Sequence, residues 1–323
     1  MTFSTSAEFA FVLNRRLERL MPILTPSGIM MGFLLSSVFI HLRPLVPWLF
    51  ALMTFSGALK LRVRELVVAV RKPAPILYFM LAAHVIIPLV VFSICSLIFD
   101  ADTLSGYALL FAVPTAVSGF IWVSIYHGDR ALALAIVLLD TLLAPLVVPG
   151  AVSLLLGTQV TLDMSGMATS LALMVLVPTV LGVGLNEASN GKVTPIVSPY
   201  LNVAAKLCLV LVIAANASPV ASQIQLDNPQ VYLIAALCIA FGAFAYICAK
   251  LIGIFARLSR EKRVTLFFAI GLRNISAATT IAIQFFPVAA SLPCLLGIVF
   301  QQVLAALMGK ALMGQDESAD GDT

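Results

Sequence analysis

Charge is what this chain has least of. Only 11% of its 323 residues are Asp, Glu, Lys or Arg, and 61% are apolar. A soluble domain averages about half apolar and about a quarter charged. Folded in water, such a chain would expose apolar area well past the roughly few hundred Å² that monomers tolerate, so the solvent it fits is lipid. Its five cysteines (Cys95, Cys208, Cys238, Cys248 and Cys294) sit in apolar stretches, are odd in number and include no C-x-x-C pair. That pattern indicates neither a disulfide framework nor a zinc site and reads as small packing hydrophobes. The three histidines (His41, His84, His127) are scattered, with no H-E-x-x-H. No G-x-S-x-G elbow with a partner histidine and no G-x-x-x-x-G-K-[ST] loop occurs. These absences argue against an intramembrane peptidase, a serine hydrolase and an ATP-driven pump, so no enzymatic activity, cofactor or metal is expected. A formal charge of +4 is too small to imply a nucleic-acid partner. Few stretches alternate with period two, which argues against a β-barrel. Arg15, Arg16 and Arg19 are not followed by an apolar run with a small-residue cleavage site, so no removable leader is expected.

What is present is a series of long apolar runs. A bilayer core of about 30 Å needs about 20 apolar residues per helix. Ten runs qualify: 22–41, 44–60, 75–99, 107–126, 130–156, 166–186, 198–218, 230–252, 263–285 and 288–312. The basic residues provide an independent check. With these ten spans, 16 of the 19 Lys and Arg fall on the side of the two termini, and only Arg43 falls opposite. Asp100, Asp102, Asp163 and Asp227 mark the poorly basic loops. The positive-inside rule then puts both termini in the cytoplasm, and a bacterial inner (plasma) membrane fits this distribution. Segment 1–21 reads as a cytoplasmic N-terminus, and the acidic stretch 313–323 as a solvated cytoplasmic tail.

The spans divide into two sets of five, 22–156 and 166–312. An odd number per set inverts the second relative to the first, as in secondary transporters, whose sites lie near the midplane on discontinuous helices. Breaks occur at matching places. The fourth span contains Val113-Pro114-Thr115-Ala116-Val117-Ser118-Gly119, and the ninth contains Gly271-Leu272-Arg273-Asn274-Ile275-Ser276. Pro removes a backbone donor and Gly weakens a helix. Unwound backbone at that depth must line a cavity or be buried in protein.

Three charges fall inside the spans and away from their ends: Lys206, Arg273 and Asp140. Lys206 is close enough to its helix end to snorkel to the cytoplasmic interface. Arg273 and Asp140 each lie about 15 Å from the cytoplasmic boundary. Opposite charges at one depth predict a pair, serving either as a structural salt bridge or in substrate and proton movement. Half-helices starting near Ser118 and Asn274 would aim N–H groups at the cavity between them. With Arg273 there, a carboxylate is the natural ligand, Asn274 a further donor, and Gln301 or Gln302 candidates for the same space or for interhelical hydrogen bonds. His84, deep in the third span, reads as a packing histidine or a proton-carrying group.

These residues resemble the bile acid:sodium symporter family from about Met53 to Leu307. The resemblance is carried by Met53 to Lys60, by Pro114 to Gly128 running into Ala144-Pro145, by Gly271 to Asn274, and by Phe300-Gln301-Gln302. It implies a panel of helices 1, 2, 6 and 7, and a core of helices 3–5 and 8–10 in which broken helices 4 and 9 cross. Substrate would bind between the two parts, and family substrates include bile acids and smaller carboxylates. Sodium-coupled members carry a Ser-Asn pair where this chain has Gly119-Phe120, hydroxyls where it has Ala133 and Val137, and a Glu and a Gln where it has Ala269 and Arg273. Most sodium ligands are therefore absent and a positive charge is added.

The resulting expectation is an all-α, ten-helix 5+5 inverted repeat that carries a small organic anion through the lipid bilayer by alternating access. Arg273 would replace sodium, and Asp140 would balance it. The expected transport residues are Arg273, Asn274, Asp140, Pro114, Thr115, Ser118, Gly271, Ser276, Gln301 and Gln302, with Asp140 and His84 as proton-coupling candidates and no metal site. Sodium- or proton-coupled symport and a non-transporting membrane sensor stand as alternatives; substrate identity and oligomeric state are left open.

Overall fold

The structure is a computed structural model that describes residues 5–64, 67, 71, 73–157, 163–221 and 227–314. The acidic stretch 316–322 and Lys72 lie outside the described residues. Among the described residues the chain is helical throughout, and the only strand-like pairing is a bridge between Thr115 and Arg273.

Among the described residues, seven helical stretches are long and apolar enough to cross a bilayer: 36–58, 73–95, 130–156, 164–188, 194–220, 229–255 and 288–313. They match seven of the ten expected runs. The other three depart from expectation in instructive ways. Helix α1 (Thr5–Leu34) continues unbroken across the expected boundary at residue 21, with only its second part, Ile23–Leu34, strongly apolar. A short helical turn (Ser36–Phe39) and a 3₁₀ turn containing Pro44 (Ile40–Leu45) then lead into α2 (Val46–Ala58). The fourth and ninth runs are each two short helices. Helices α3 (Pro73–Cys95), α4 (Ala101–Ala112) and α5 (Gly119–Ile125) are followed by α6 (Arg130–Leu156) and α7 (Met164–Ala188). Then come α8 (Thr194–Ala217), α9 (Pro229–Phe255), α10 (Arg260–Gly271), α11 (Ile275–Phe285) and α12 (Ser291–Met313).

Polar residues at the loops start these helices. Asp100 accepts from the N–H of Thr103 at 3.0 Å, Asp129 from that of Leu132 at 3.0 Å, and Asp163 from that of Gly166 at 2.8 Å. Each satisfies one of the four N–H groups that a helix start leaves unpaired. Two acids that mark the poorly basic loops, Asp100 and Asp163, are therefore helix caps as well.

Prolines inside two spanning helices reshape them. In α3 the segment Ala82–Ile86 is a wide π turn immediately before Ile87-Pro88, and in α7 the segment Ala172–Leu176 is another before Val177-Pro178. A proline has no N–H for the preceding turn and its ring crowds the carbonyl four residues back, so the turn widens.

Packing forms two groups that are joined where α7 lies along α6. Helix α1 lies along α8, α8 along α2, and α2 along α7; α9 packs on α10 and α12, α12 on α4 and α11, and α4 on α3 and α6. Without a hydrophobic drive between helices in lipid, close packing uses small residues. At Gly32 of α1 an added Cβ would meet the carbonyl oxygen of Ala214 in α8 at 2.3 Å. Outer surfaces carry large apolar side chains such as Leu97, Leu154 and Phe255, each more than four-fifths exposed, as a lipid-facing surface requires.

Gly32→Leu is therefore expected to force α1 off α8 and cost about 1–3 kcal/mol or more, read as a lower thermal midpoint in detergent. Gly150→Ala, on α6 where nothing lies within 4 Å of the added Cβ, should leave the midpoint unchanged or raise it, since Gly in a helix interior costs about 0.5–1 kcal/mol relative to Ala.

Candidate functional site

Each break frees backbone groups at a depth without water, and the structure shows where those groups go. Pro114 removes the donor due to the Leu110 carbonyl, and Val113 before it is extended (φ −61, ψ 156), as a residue preceding proline prefers. Thr115 would donate to Phe111 in a continuous helix; instead its N–H donates to Asp140 Oδ2 at 2.6 Å. In the second break the Arg273 N–H, due to Ala269, donates to Gln301 Oε1 at 2.9 Å. The freed Ala269 carbonyl accepts the Thr115 hydroxyl at 2.8 Å, and the same hydroxyl lies 3.1 Å from the Leu272 carbonyl. The two segments then pair directly and antiparallel. Ala116 N–H donates to Leu272 O at 3.1 Å and Asn274 N–H to Pro114 O at 2.8 Å. An orphaned buried donor or acceptor costs roughly 1–3 kcal/mol, so each break is stable only because the other is there.

Arg273 occupies the centre of this crossing, 3% exposed. Its Nη2 donates to the carbonyls of Ala83 and of Phe111, the latter at 3.0 Å. Both acceptors are created by the fold. The Phe111 carbonyl is the one deprived of Thr115. The Ala83 carbonyl lies in the π turn of α3, where the Ile87 N–H bonds to Ala82 instead and the next residue, Pro88, has no N–H to give. Sequence reasoning on the breaks alone missed this contribution of α3. The signal for it was Pro88, one turn beyond His84 in an otherwise unbroken apolar run.

Asp140, fully buried, corrects the expected ion pair. Its two oxygens are used by the Thr115 N–H and by His84, whose Nε2 lies 2.7 Å from Oδ1. The guanidinium of Arg273 bonds to backbone carbonyls and not to this carboxylate. The two charges share a depth but are joined through Thr115, and the direct partner of Asp140 is His84, whose side chain is 6% exposed. The π turn is what turns His84 towards α6; its Nδ1 is buried without a partner.

The other expected residues sort by geometry. Asn274 caps α11, its side chain accepting from the Ala277 N–H at 3.4 Å. Gly271 is required by close approach, because a Cβ there would meet the Tyr246 ring at 2.1 Å. Gln301 joins the crossing, whereas Gln302 faces away and accepts from the Trp122 indole at 3.1 Å. Ser118 and Ser276 are half-buried at the starts of α5 and α11, and neither hydroxyl caps its helix. Ala133, Val137 and Ala269, expected where sodium-coupled proteins carry oxygen ligands, are all buried. Lys206 Nζ reaches Asn14 of α1.

Two spaces adjoin this centre. A small cavity lined by Arg273, Gln301 and Tyr246 offers about 30 Å³ to a water-sized sphere. That is room for about two waters, too little for an organic carboxylate. A larger cleft of about 470 Å³ opens between the 3₁₀ turn before α2 and the ends of α8 and α11, lined by Arg43, Asn216, Thr280 and Gln284 among others. Across it Arg43 Nη2 donates to the Ile283 carbonyl at 3.3 Å and Asn216 to the Thr280 hydroxyl at 3.0 Å. Sequence reasoning assigned Arg43 only to a loop.

Comparison with known proteins identifies the family. Residues 36–314 match the SBF-like CPA transporter family. The chain is 38% identical over 294 residues to the uncharacterised protein YbaS of Bacillus subtilis, covering 90% of this chain and 96% of that one. It is 26% identical over 269 residues to the "Probable sodium/metabolite cotransporter BASS3, chloroplastic" of Oryza sativa subsp. japonica, covering 81% of this chain and 63% of that one. To the "Uncharacterized sodium-dependent transporter YocS" of Bacillus subtilis it is 20% identical over 280 residues, 86% of each chain. With most of its length matched, and a relative aligned nearly end to end, the chain belongs to the SBF-like CPA transporter family and is an integral membrane transporter of the BASS type.

Proposed function

We propose that this transporter is a secondary-active carrier of a small organic anion, working by alternating access in a bacterial plasma membrane with both termini cytoplasmic. In this reading it is independent of sodium, because Arg273 holds a fixed positive charge where sodium-coupled members of the family place their ion. One observation carries the proposal. Arg273 Nη2 donates to carbonyl oxygens from two different helices, Ala83 of α3 and Phe111 of α4. A hard cation at such a crossing would be held by oxygen ligands of this kind. A tethered guanidinium satisfies the same oxygens permanently, and the buried Ala133 and Val137 add no oxygen from their side chains.

The architecture proposed with it is the ten-helix 5+5 inverted repeat, with a panel of α1, α2, α7 and α8 moving against a core of the remaining helices. The grouping of contacts and the paired breaks support this division. The organic anion would sit in the cleft between the two groups, whose volume suits a small ligand. Arg43, Asn216 and Gln284 supply donors there, and Arg43 can exchange its 3.3 Å contact with Ile283 for a carboxylate.

In proteoliposomes, uptake of the best substrate from a panel of small carboxylates is expected to be the same in sodium and in potassium media. Uptake that requires sodium would overturn the Arg273 replacement. Arg43→Gln is expected to raise KM about tenfold, the equivalent of one charge-assisted hydrogen bond, with the thermal midpoint unchanged. An unaltered KM would move the substrate out of this cleft.

The contact between His84 and Asp140 favours a second reading, in which the carrier is coupled to protons. The pair sits on the crossing, and a shared proton would alter the bond from Asp140 to Thr115 on which the crossing depends. Asp140→Asn preserves shape and one acceptor while removing the ionisable group. If protons are coupled, an inward pH gradient accelerates wild-type uptake and has no effect on Asp140→Asn, which still exchanges substrate at equilibrium. Equal gradient responses in both would exclude this pair as the coupling site.

A further inference from the structure

We infer that the small cavity beside Arg273 is a binding site for a single halide-sized anion, chloride being the common one, distinct from the cleft assigned to the organic substrate. The walls present donors with little to receive them. Arg273 has five N–H groups; Nη2 serves Ala83 and Phe111, while Nε and Nη1 are buried and have no partner among the described residues. The Tyr246 hydroxyl, on a side chain 1% exposed, is likewise buried and unpartnered. Gln301, whose oxygen accepts from the Arg273 N–H, lines the same cavity. All three residues line one cavity.

Charge and size then choose the occupant. Asp140, the only carboxylate at this depth among the described residues, has its oxygens on His84 and Thr115 and makes no hydrogen bond to the guanidinium, so its charge acts on Arg273 without satisfying these donors. A buried cation surrounded by spare donors calls for an anion. A space of about 30 Å³ admits an ion little larger than water and excludes a carboxylate with a carbon chain. The rest of the lining is apolar, including Leu110, Phe111, Ile275 and Leu304, which disfavours strongly hydrated ions. Bromide and chloride should therefore bind better than fluoride. Tyr246 is held for this role by its neighbours, its ring packed between Gly271 and Phe267 at 4.8 Å between ring centres.

The test uses purified full-length protein in detergent with no organic substrate. Thermal midpoints are measured in sodium gluconate with increasing bromide, chloride or fluoride at constant ionic strength, and bound chloride is counted by equilibrium dialysis with radiolabelled ion. The expected result is saturable stabilisation in the order bromide, chloride, fluoride, with one chloride per chain. Tyr246→Phe, which removes one hydroxyl and keeps the ring, should weaken apparent affinity about tenfold. Arg273→Gln should abolish the response if the variant folds, and Tyr246→Phe carries the test if it does not. Midpoints that ignore halide, or shift equally in wild type and Tyr246→Phe, would overturn the proposal and leave the cavity to water. Either result leaves the carrier reading standing, because substrate uptake is measured separately in halide-free medium.

Discussion

The antiparallel meeting of Thr115 with Arg273 is the constraint on which the centre of the molecule depends. In lipid a helix can be interrupted only if every freed N–H and carbonyl finds a partner from protein. Here the two interruptions meet those needs for each other. Pro114 accepts from Asn274, Leu272 from Ala116, and Ala269 from the Thr115 hydroxyl. Neither break is tolerable alone, so they form and persist as one unit. Asp140, Gln301 and Arg273 are placed around that unit because each takes a backbone group the crossing leaves over.

A guanidinium in this position has a consequence for motion. A bound metal ion ties helices together only while it is bound, so its arrival and departure couple conformation to an ion gradient. A covalently attached cation cannot leave. Its bonds to Ala83 and Phe111 tie the break between α10 and α11 to α3 and α4. Alternation would then move the molecule elsewhere, and the structure has a suitable seam where α2, α8 and the 3₁₀ turn bearing Arg43 face α11 across an open cleft.

Much of this was legible in the residues. The apolar runs located seven continuous spanning helices, and Pro114 and Gly271 marked both breaks within a residue or two, because proline and glycine act on the backbone locally. The partner of Asp140 was not legible. Depth alone pointed to Arg273, since two charges at one level attract whatever their azimuth. The outcome was decided by direction around the helix axis, which the π turn before Pro88 changes for His84. Arg43 was missed for a different reason: its loop folds back over the end of α11, a tertiary fact that no span count contains.

The two glutamines show the same limit in miniature. Gln301 and Gln302 are adjacent and chemically identical, and sequence gives no ground for separating them. On a helix, neighbours point about 100° apart. One therefore reaches the unpaired N–H of Arg273, while the other meets the indole of Trp122 on α5. Both bonds join α12 to the broken helices, one at the crossing itself and one beyond it. Helix α12 is thus attached to both sides of the interruption. The contact through Gln301 shares its wall with the unpartnered Arg273 nitrogens and the Tyr246 hydroxyl, so it is on this face of α12 that the unbalanced polarity of the core collects.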